Sequence, residues 1–294
     1  MDFDSFIAQA WTDHATDPAA VAARLLPQGL PQVTEAARIV PLAHLAHHVL
    51  GQHLGRWQDG IQLQQQLAAL PCCPAHGDTP AALRRFKASL QLAAGMDGDL
   101  ATMAPSDRIR VTAMAAASLA EHDTARASAL LHQAVDDAQS AVLPEKDPSA
   151  RAIAANANNI AGALEEKPQI TPAERELMIV AAQVAGRFWR QAGTWLEHER
   201  AEYRLALCWL RAGDPAQARR HAQQCLDIVA AHQGPALEQF FGWVVLGRVE
   251  QATGNTPRHT QALAQAEAAF AALADDDKGW CQASLDLLRA AAAG

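Results

Sequence analysis

Apolar side chains along this chain recur three and four positions apart, and sustained alternation is absent. That is the period of amphipathic helices, not of half-buried strands. Read this way, the pattern predicts helices near 3–12, 18–26, 32–54, 57–70, 80–94, 106–121, 124–142, 149–166, 172–192, 194–212, 215–232, 236–253, 257–274 and 277–292. The breaks between them are short, so neighbouring helices should pack antiparallel.

A recurrent punctuation supports the helix starts. Asp or Thr precedes proline at Asp17-Pro18, Thr79-Pro80, Asp147-Pro148, Thr171-Pro172, Asp214-Pro215 and Thr256-Pro257. The side-chain oxygen can accept a bond from an orphan N–H of the first turn, and proline at N1 removes only an N–H that has no partner there. Thr171-Pro172-Ala173-Glu174 also has the spacing of a capping box.

Composition sharpens this into an all-α expectation. Alanine dominates and only 5% of residues are aromatic. Alanine favours helices and lets them approach closely, whereas strands draw on β-branched and aromatic residues. The net charge of −8 argues against a general nucleic-acid binder. No run approaches the roughly 20 apolar residues of a membrane span. The acidic start "MDFDSFIAQAW" lacks the basic flank and apolar core of a secretion signal. Five cysteines, scattered apart from Cys72-Cys73, suit reduced thiols. A cytoplasmic location, with no nucleic acid and no membrane as partner, is the expectation.

Two stretches carry a more specific pattern. In "ERAEYRLALCWLRAGDPAQARRHAQQCLDI", residues 199–228, one helix presents Leu205, Ala206 and Trp209. Gly213-Asp214 turns the chain, and a second helix presents Ala218, Ala222 and Cys225. Next, Trp243, Leu246 and Gly247 reproduce a W-x2-L-G spacing, with Gly254-Asn255 at the turn. This resembles the tetratricopeptide repeat, which has W-x2-L-G-x2-Y in its first helix and A-x3-F in its second. Glu250 stands where that pattern has Tyr. Looser copies extend the resemblance over 35–75 and 106–275. Turns near 122, 168, 213 and 254 are spaced by about 40 to 46 residues, above the family's usual 34. The resemblance implies a right-handed α-solenoid of antiparallel helix pairs. Residues 1–78 read as an irregular helical region and 79–294 as the regular array, closed by a capping helix at 277–292 in which Trp280, Leu285 and Leu288 form the inner side. The two regions are expected to run on as one array.

The resemblance also implies a concave groove lined by first helices, and a protein or peptide as its partner. Carried over by register, the groove candidates are Asn158, Asn159, Arg200, Tyr203, Arg204 and Arg248, with Val244 and Glu165 beside them. Asn is a poor mid-helix residue because its side chain competes for backbone bonds, so Asn156, Asn158 and Asn159 invite a functional reading. Arg200 and Arg204, one turn apart, suit a carboxylate. The alternative is that the asparagines bond neighbouring segments and that 197–204 is a solvated face. A homodimer through exposed apolar ends is a further option.

No phosphate-binding glycine loop, dinucleotide fingerprint, H-E-x-x-H or nucleophile elbow occurs. The chain is therefore read as non-catalytic, with no cofactor. The stretch "LAHLAHHVLGQHLG" raises a second possibility, a metal- or ligand-responsive sensor. His44 and His48 are one helical turn apart, and with Cys72 and His76 they would supply imidazole and thiolate ligands for zinc. The same rings, His47 among them, can instead fill space as neutral packing residues, or form a pH-responsive group.

Overall fold

The computed structural model describes residues 2–290 and contains no strand among them. Fourteen α-helices follow one another in it. They are α1 (Phe3–Asp13), α2 (Pro18–Arg24), α3 (Ile39–Ala46), α4 (Trp57–Ala68), α5 (Asp78–Ala93), α6 (Pro105–Leu119), α7 (Thr124–Ser140), α8 (Ser149–Glu166), α9 (Pro172–Ala192), α10 (Trp195–Ala212), α11 (Pro215–Ala231), α12 (Ala236–Ala252), α13 (Thr256–Ala271) and α14 (Asp275–Ala290). The chain divides into two compact units, Met1–Ala163 and Leu164–Gly294.

The helix starts follow the capping chemistry at most of the marked positions. Asp17 accepts from Ala20 N–H, Asp147 from Ser149 N–H and Asp214 from Gln217 N–H, at 2.8–3.0 Å. Thr171 and Glu174 close a full capping box. Two starts differ. Asn255, not Thr256, caps α13. At Thr79-Pro80 the helix already begins at Asp78, behind Gly77 with a φ of 103°. In both cases the helix takes up the expected cap residue as part of its own first turn.

One expected helix, 32–54, is broken. Short 3₁₀ turns occupy Leu30–Gln32 and Ala36–Arg38 before α3 begins at Ile39. Pro41 explains the late start, because its missing N–H is tolerated only in a first turn. After Ala46 the helix widens into a π-helical segment, His47–His53. The helix expected at 277–292 starts at Asp275, and its last two positions lie outside the described residues.

In the first unit α1, α2 and α3 bury Phe3, Phe6, Val21, Ile39, Leu42 and Leu45 in one core with Val49, Leu63, Leu67 and Leu83. Helices α4 to α7 then pack each on the next. A buried amide ties α4 to α3, Gln64 Nε2 donating to Ala43 O at 2.9 Å.

In the second unit α9 to α13 pack in sequence, and α14 packs on both α12 and α13. Helix α12 also touches α10, so first members of successive pairs are neighbours. Gly213 ends α10 in the left-handed region at φ 84°, a conformation that a Cβ disfavours. Gly247 serves a different purpose. A Cβ there would lie 2.8 Å from Leu288 Cδ1 and 3.5 Å from Ala262 Cβ. Leu288 is fully buried, which leaves its side chain little room to move aside. Gly247→Val should therefore destabilise this unit by about 1–3 kcal/mol through overpacking, measured by urea unfolding. An unchanged midpoint would show that α12, α13 and α14 are not packed this closely.

Candidate functional site

The second unit has an unusually acidic interior. Helix α10 points Glu199 and Glu202 inward, and α12 points Glu238 and Glu250 inward. Each finds partners on the neighbouring helices. Glu250 accepts a forked pair of bonds from Arg219 of α11 at 2.6 and 2.9 Å. Glu202 accepts from His221 of α11 at 2.6 Å, with Arg190 and His198 at 3.3 and 3.4 Å. Burial alone would raise its pKa, but these bonds and charges outweigh it and hold the carboxyl below its ordinary range. Glu238 accepts from Arg200 at 2.6 Å. Glu199 is the exception. One oxygen accepts from the Cys225 thiol at 2.7 Å, and the other has no hydrogen-bond partner. Burial and the neighbouring Glu238 carboxylate push its pKa up to about 7.

The stretch 197–204 is therefore not the solvated face that its charges suggested. It is a wall of the core with arginines at its margin. Of the expected groove residues, Arg200 reaches to Glu238 and Arg204 to Glu165 at 3.3 Å and Glu166 at 3.5 Å. Both guanidiniums are thus engaged within the chain. Val244, placed beside the groove by register, is core instead, at 3% exposure.

On this side an aromatic line crosses three helices, half-buried at Tyr203 and Phe241 and exposed at Trp280. Tyr203 of α10 meets Phe241 of α12 edge-on, with ring centroids 5.8 Å apart. Phe241 in turn stacks on Trp280 of α14 at 5.2 Å and 25°. Trp280 is 57% exposed, which corrects its expected place on the inner side of the last helix. Leu285 and Leu288 do face inward. Burial pushes the Tyr203 phenol up to about 12, although the Arg248 and Arg204 charges pull the other way. Arg248 lies seven residues, two turns, beyond Phe241, on the same stripe of α12. It is exposed, and no ion pair engages it among the described residues.

The asparagines belong to the first unit and act locally. Asn156 Nδ2 donates to Ala152 O one turn back, at 2.8 Å. Asn159 Nδ2 donates to Gln52 Oε1 at 3.4 Å, and Asn158 is half-buried.

The histidine-rich stretch resolves into separate environments. His47 is buried and bonded to Ser89 Oγ at 2.7 Å, and burial pulls its pKa down to about 3. It is a neutral packing residue. His44 stacks on Phe86 with ring planes 8° apart. His48 packs with His44 against Trp11 and meets His53 and His14 edge-on. Cys72 packs against the N-terminal core with its thiol aimed at Val33 O, and His76 is exposed in the loop before α5. The structure therefore does not gather His44, His48, Cys72 and His76 round one point. Among the described residues, the one group of histidine, cysteine and acidic side chains close enough to share an ion is His14, His48 and His53.

The other cysteines, Cys208, Cys225 and Cys281, are buried. Burial pushes Cys208 up to about 12 and Cys281 up to about 11, which removes them as thiolate nucleophiles. No helix among the described residues is long and apolar enough to cross a membrane. The fold defines an all-α protein of consecutively packed helix pairs. Known protein-family models give no match to the chain, and no curated protein is significantly similar to it.

Proposed function

We propose that the second unit is a non-catalytic, tetratricopeptide-like scaffold, right-handed in its superhelix, that binds a peptide or an extended segment of a partner protein. The observation that carries this reading is the line Tyr203–Phe241–Trp280, which ends in an exposed tryptophan, with the exposed Arg248 two turns beyond Phe241 on α12. Aromatic rings and arginine are the side chains that dominate protein-recognition surfaces. The line crosses α10, α12 and α14, the helices that would line the inner face of such an array.

The chemistry favours a ligand with a carboxylate for Arg248 and an apolar or aromatic side chain for the rings. Arg200 and Arg204 contribute by holding Glu238 and Glu165, and so fix α10 against its neighbours. The absence of phosphate-binding, zinc-protease and nucleophile motifs supports the non-catalytic part of the reading.

A random peptide library displayed on phage, with the full chain as bait, tests this directly. The expected result is enrichment of peptides that pair Asp, Glu or a free C-terminus with a large apolar residue. No enrichment above a bait-free control would sink the reading.

A further inference from the structure

From the first unit we infer a binding site for one borderline divalent cation, Zn2+ as its representative, formed by His14, His48 and His53. Three side chains from two separate segments converge. His14 follows the last turn of α1, and His48 and His53 lie in the π-helical segment after α3. Each offers a nitrogen, and these nitrogens lie within 4.8 Å of one another. The Nε2 atoms of His48 and His53 are 3.1 Å apart. Metal–nitrogen bonds of about 2.0–2.1 Å in a tetrahedral site require nitrogens about 3.3 Å apart. The three rings also sit edge to face, with centroids 4.7–5.2 Å apart.

The widened backbone makes this possible. In an α-helix, residues five apart point about 140° away from each other. In a π-helix the i and i+5 positions come back to one side. Leu54 N–H accordingly bonds Val49 O at 3.2 Å, five residues back. A single added residue per turn thus turns His53 toward His48. Such segments occur often at functional sites.

The outer contacts set the tautomers that a metal needs. His14 Nδ1 lies 2.6 Å from Trp11 O, a carbonyl that can only accept. The proton is therefore on Nδ1, and Nε2 presents its lone pair. His48 Nδ1 donates to Gln52 Oε1 at 2.9 Å, which again leaves Nε2 as the lone-pair nitrogen. Gln52 is itself held in that orientation, since its Oε1 also accepts from Asn159 Nδ2. Ligating histidines are commonly fixed by a carbonyl or carboxylate on the other ring nitrogen in this way. Asn159 thereby has a positioning role in the first unit.

The donor set limits the ion. Three neutral imidazoles with no carboxylate or thiolate in the group suit Zn2+ or a neighbouring late first-row ion, and not Mg2+ or Ca2+. Three protein ligands leave a fourth position for water or an incoming group. The ion would join the end of α1 to the segment after α3, more than thirty residues away.

The test uses the full chain without a histidine tag, stripped with chelator, then titrated with Zn2+ by calorimetry. Co2+ is added in parallel, because its visible spectrum reports tetrahedral coordination. One Zn2+ per chain and a rise in Tm are expected. His14→Gln and His53→Gln should each weaken binding at least about 100-fold, and Gln52→Ala, which removes only the orienting contact, about 10–100-fold. Cys72→Ser and His76→Ala should leave binding unchanged. Circular dichroism of each metal-free variant checks that the fold survives, and Gln52→Ala keeps the test valid if a histidine variant does not fold. No stoichiometric binding, or binding indifferent to His14, His53 and Gln52, would overturn the site and leave a hydrogen-bonded histidine cluster.

Discussion

Replacing Glu199 by glutamine should stabilise the protein at pH 8 by about 2–3 kcal/mol relative to wild type, and this gain over wild type should grow as pH rises between 5 and 7. Glu199 is 1% exposed, and its pKa is raised from 4.5 to about 7. Desolvation is the main cause, and the Glu238 carboxylate on α12 adds to it. The Cys225 thiol on α11 and Arg200 on its own helix act in the opposite sense. Between those two pKa values the folded chain binds a proton that the unfolded chain has lost. Stability at this group is therefore greatest below pH 4.5, declines as pH rises, and reaches its minimum above pH 7. Each unit of pKa difference corresponds to about 1.4 kcal/mol, which sets the size of the effect. Glutamine keeps the oxygen that accepts from Cys225 and carries no charge. Glu202 acts in a separate range, because its lowered pKa removes stability only as the solution becomes acidic below the ordinary glutamate value. Urea unfolding across pH 4 to 8 would show the difference. Buried, neutral His47 adds stability over the same window as pH rises, since its pKa is pulled down to about 3. The reading is therefore the difference between wild type and Glu199→Gln, and a difference that does not grow with pH would contradict the account of Glu199.

The second large effect concerns Arg219. Arg219→Ala should cost about 3–5 kcal/mol, because it strands the Glu250 carboxylate, which is 1% exposed, without its forked partner. Arg258, 4.0 Å away and mostly exposed, recovers little of this. Arg258→Ala should stay within about 1 kcal/mol, as exposed pairs do. The double variant Arg219→Met/Glu250→Met should regain most of the loss, since apolar pairs of similar volume often replace buried ion pairs without penalty. If Arg219→Ala costs no more than Arg258→Ala, the pair is not buried as described.

Glu250 also shows what the sequence could and could not disclose. It was visible as a departure from the repeat pattern, at the position where an aromatic residue belongs. Its meaning lay on another helix, in Arg219, 31 residues away. Helix positions were legible because period, caps and turns are local. The breaks in the chain were read within a few residues from Thr171, Asp214 and Gly213, whose chemistry acts on adjacent backbone.

The exceptions are long-range or geometric. Glu199 and Glu202, in the stretch 197–204, also fit a solvated face in the sequence, because only the packing of α10 on α11 shows that their partners face inward too. The histidines were counted at α-helical spacing, which pairs His44 with His48. The π-helical segment changes that arithmetic, and pairs His48 with His53 and with the distant His14. No local signal announces such a widening. Trp280 was misplaced because its helix is amphipathic with a leucine stripe beside it, and Phe241 offers a stacking partner outside the core.

The central claim is that the face formed by Tyr203, Phe241, Trp280 and Arg248 receives an extended ligand. Its most direct test is a fluorescence-polarisation titration of the best display-selected peptide against wild type, Arg248→Glu and Trp280→Ala. Both residues are exposed, so the folded state should survive each change. The account predicts affinity at least about tenfold weaker in each variant, a loss of roughly 1.4 kcal/mol or more. Equal affinity for all three proteins would contradict it, and would place recognition elsewhere on the chain.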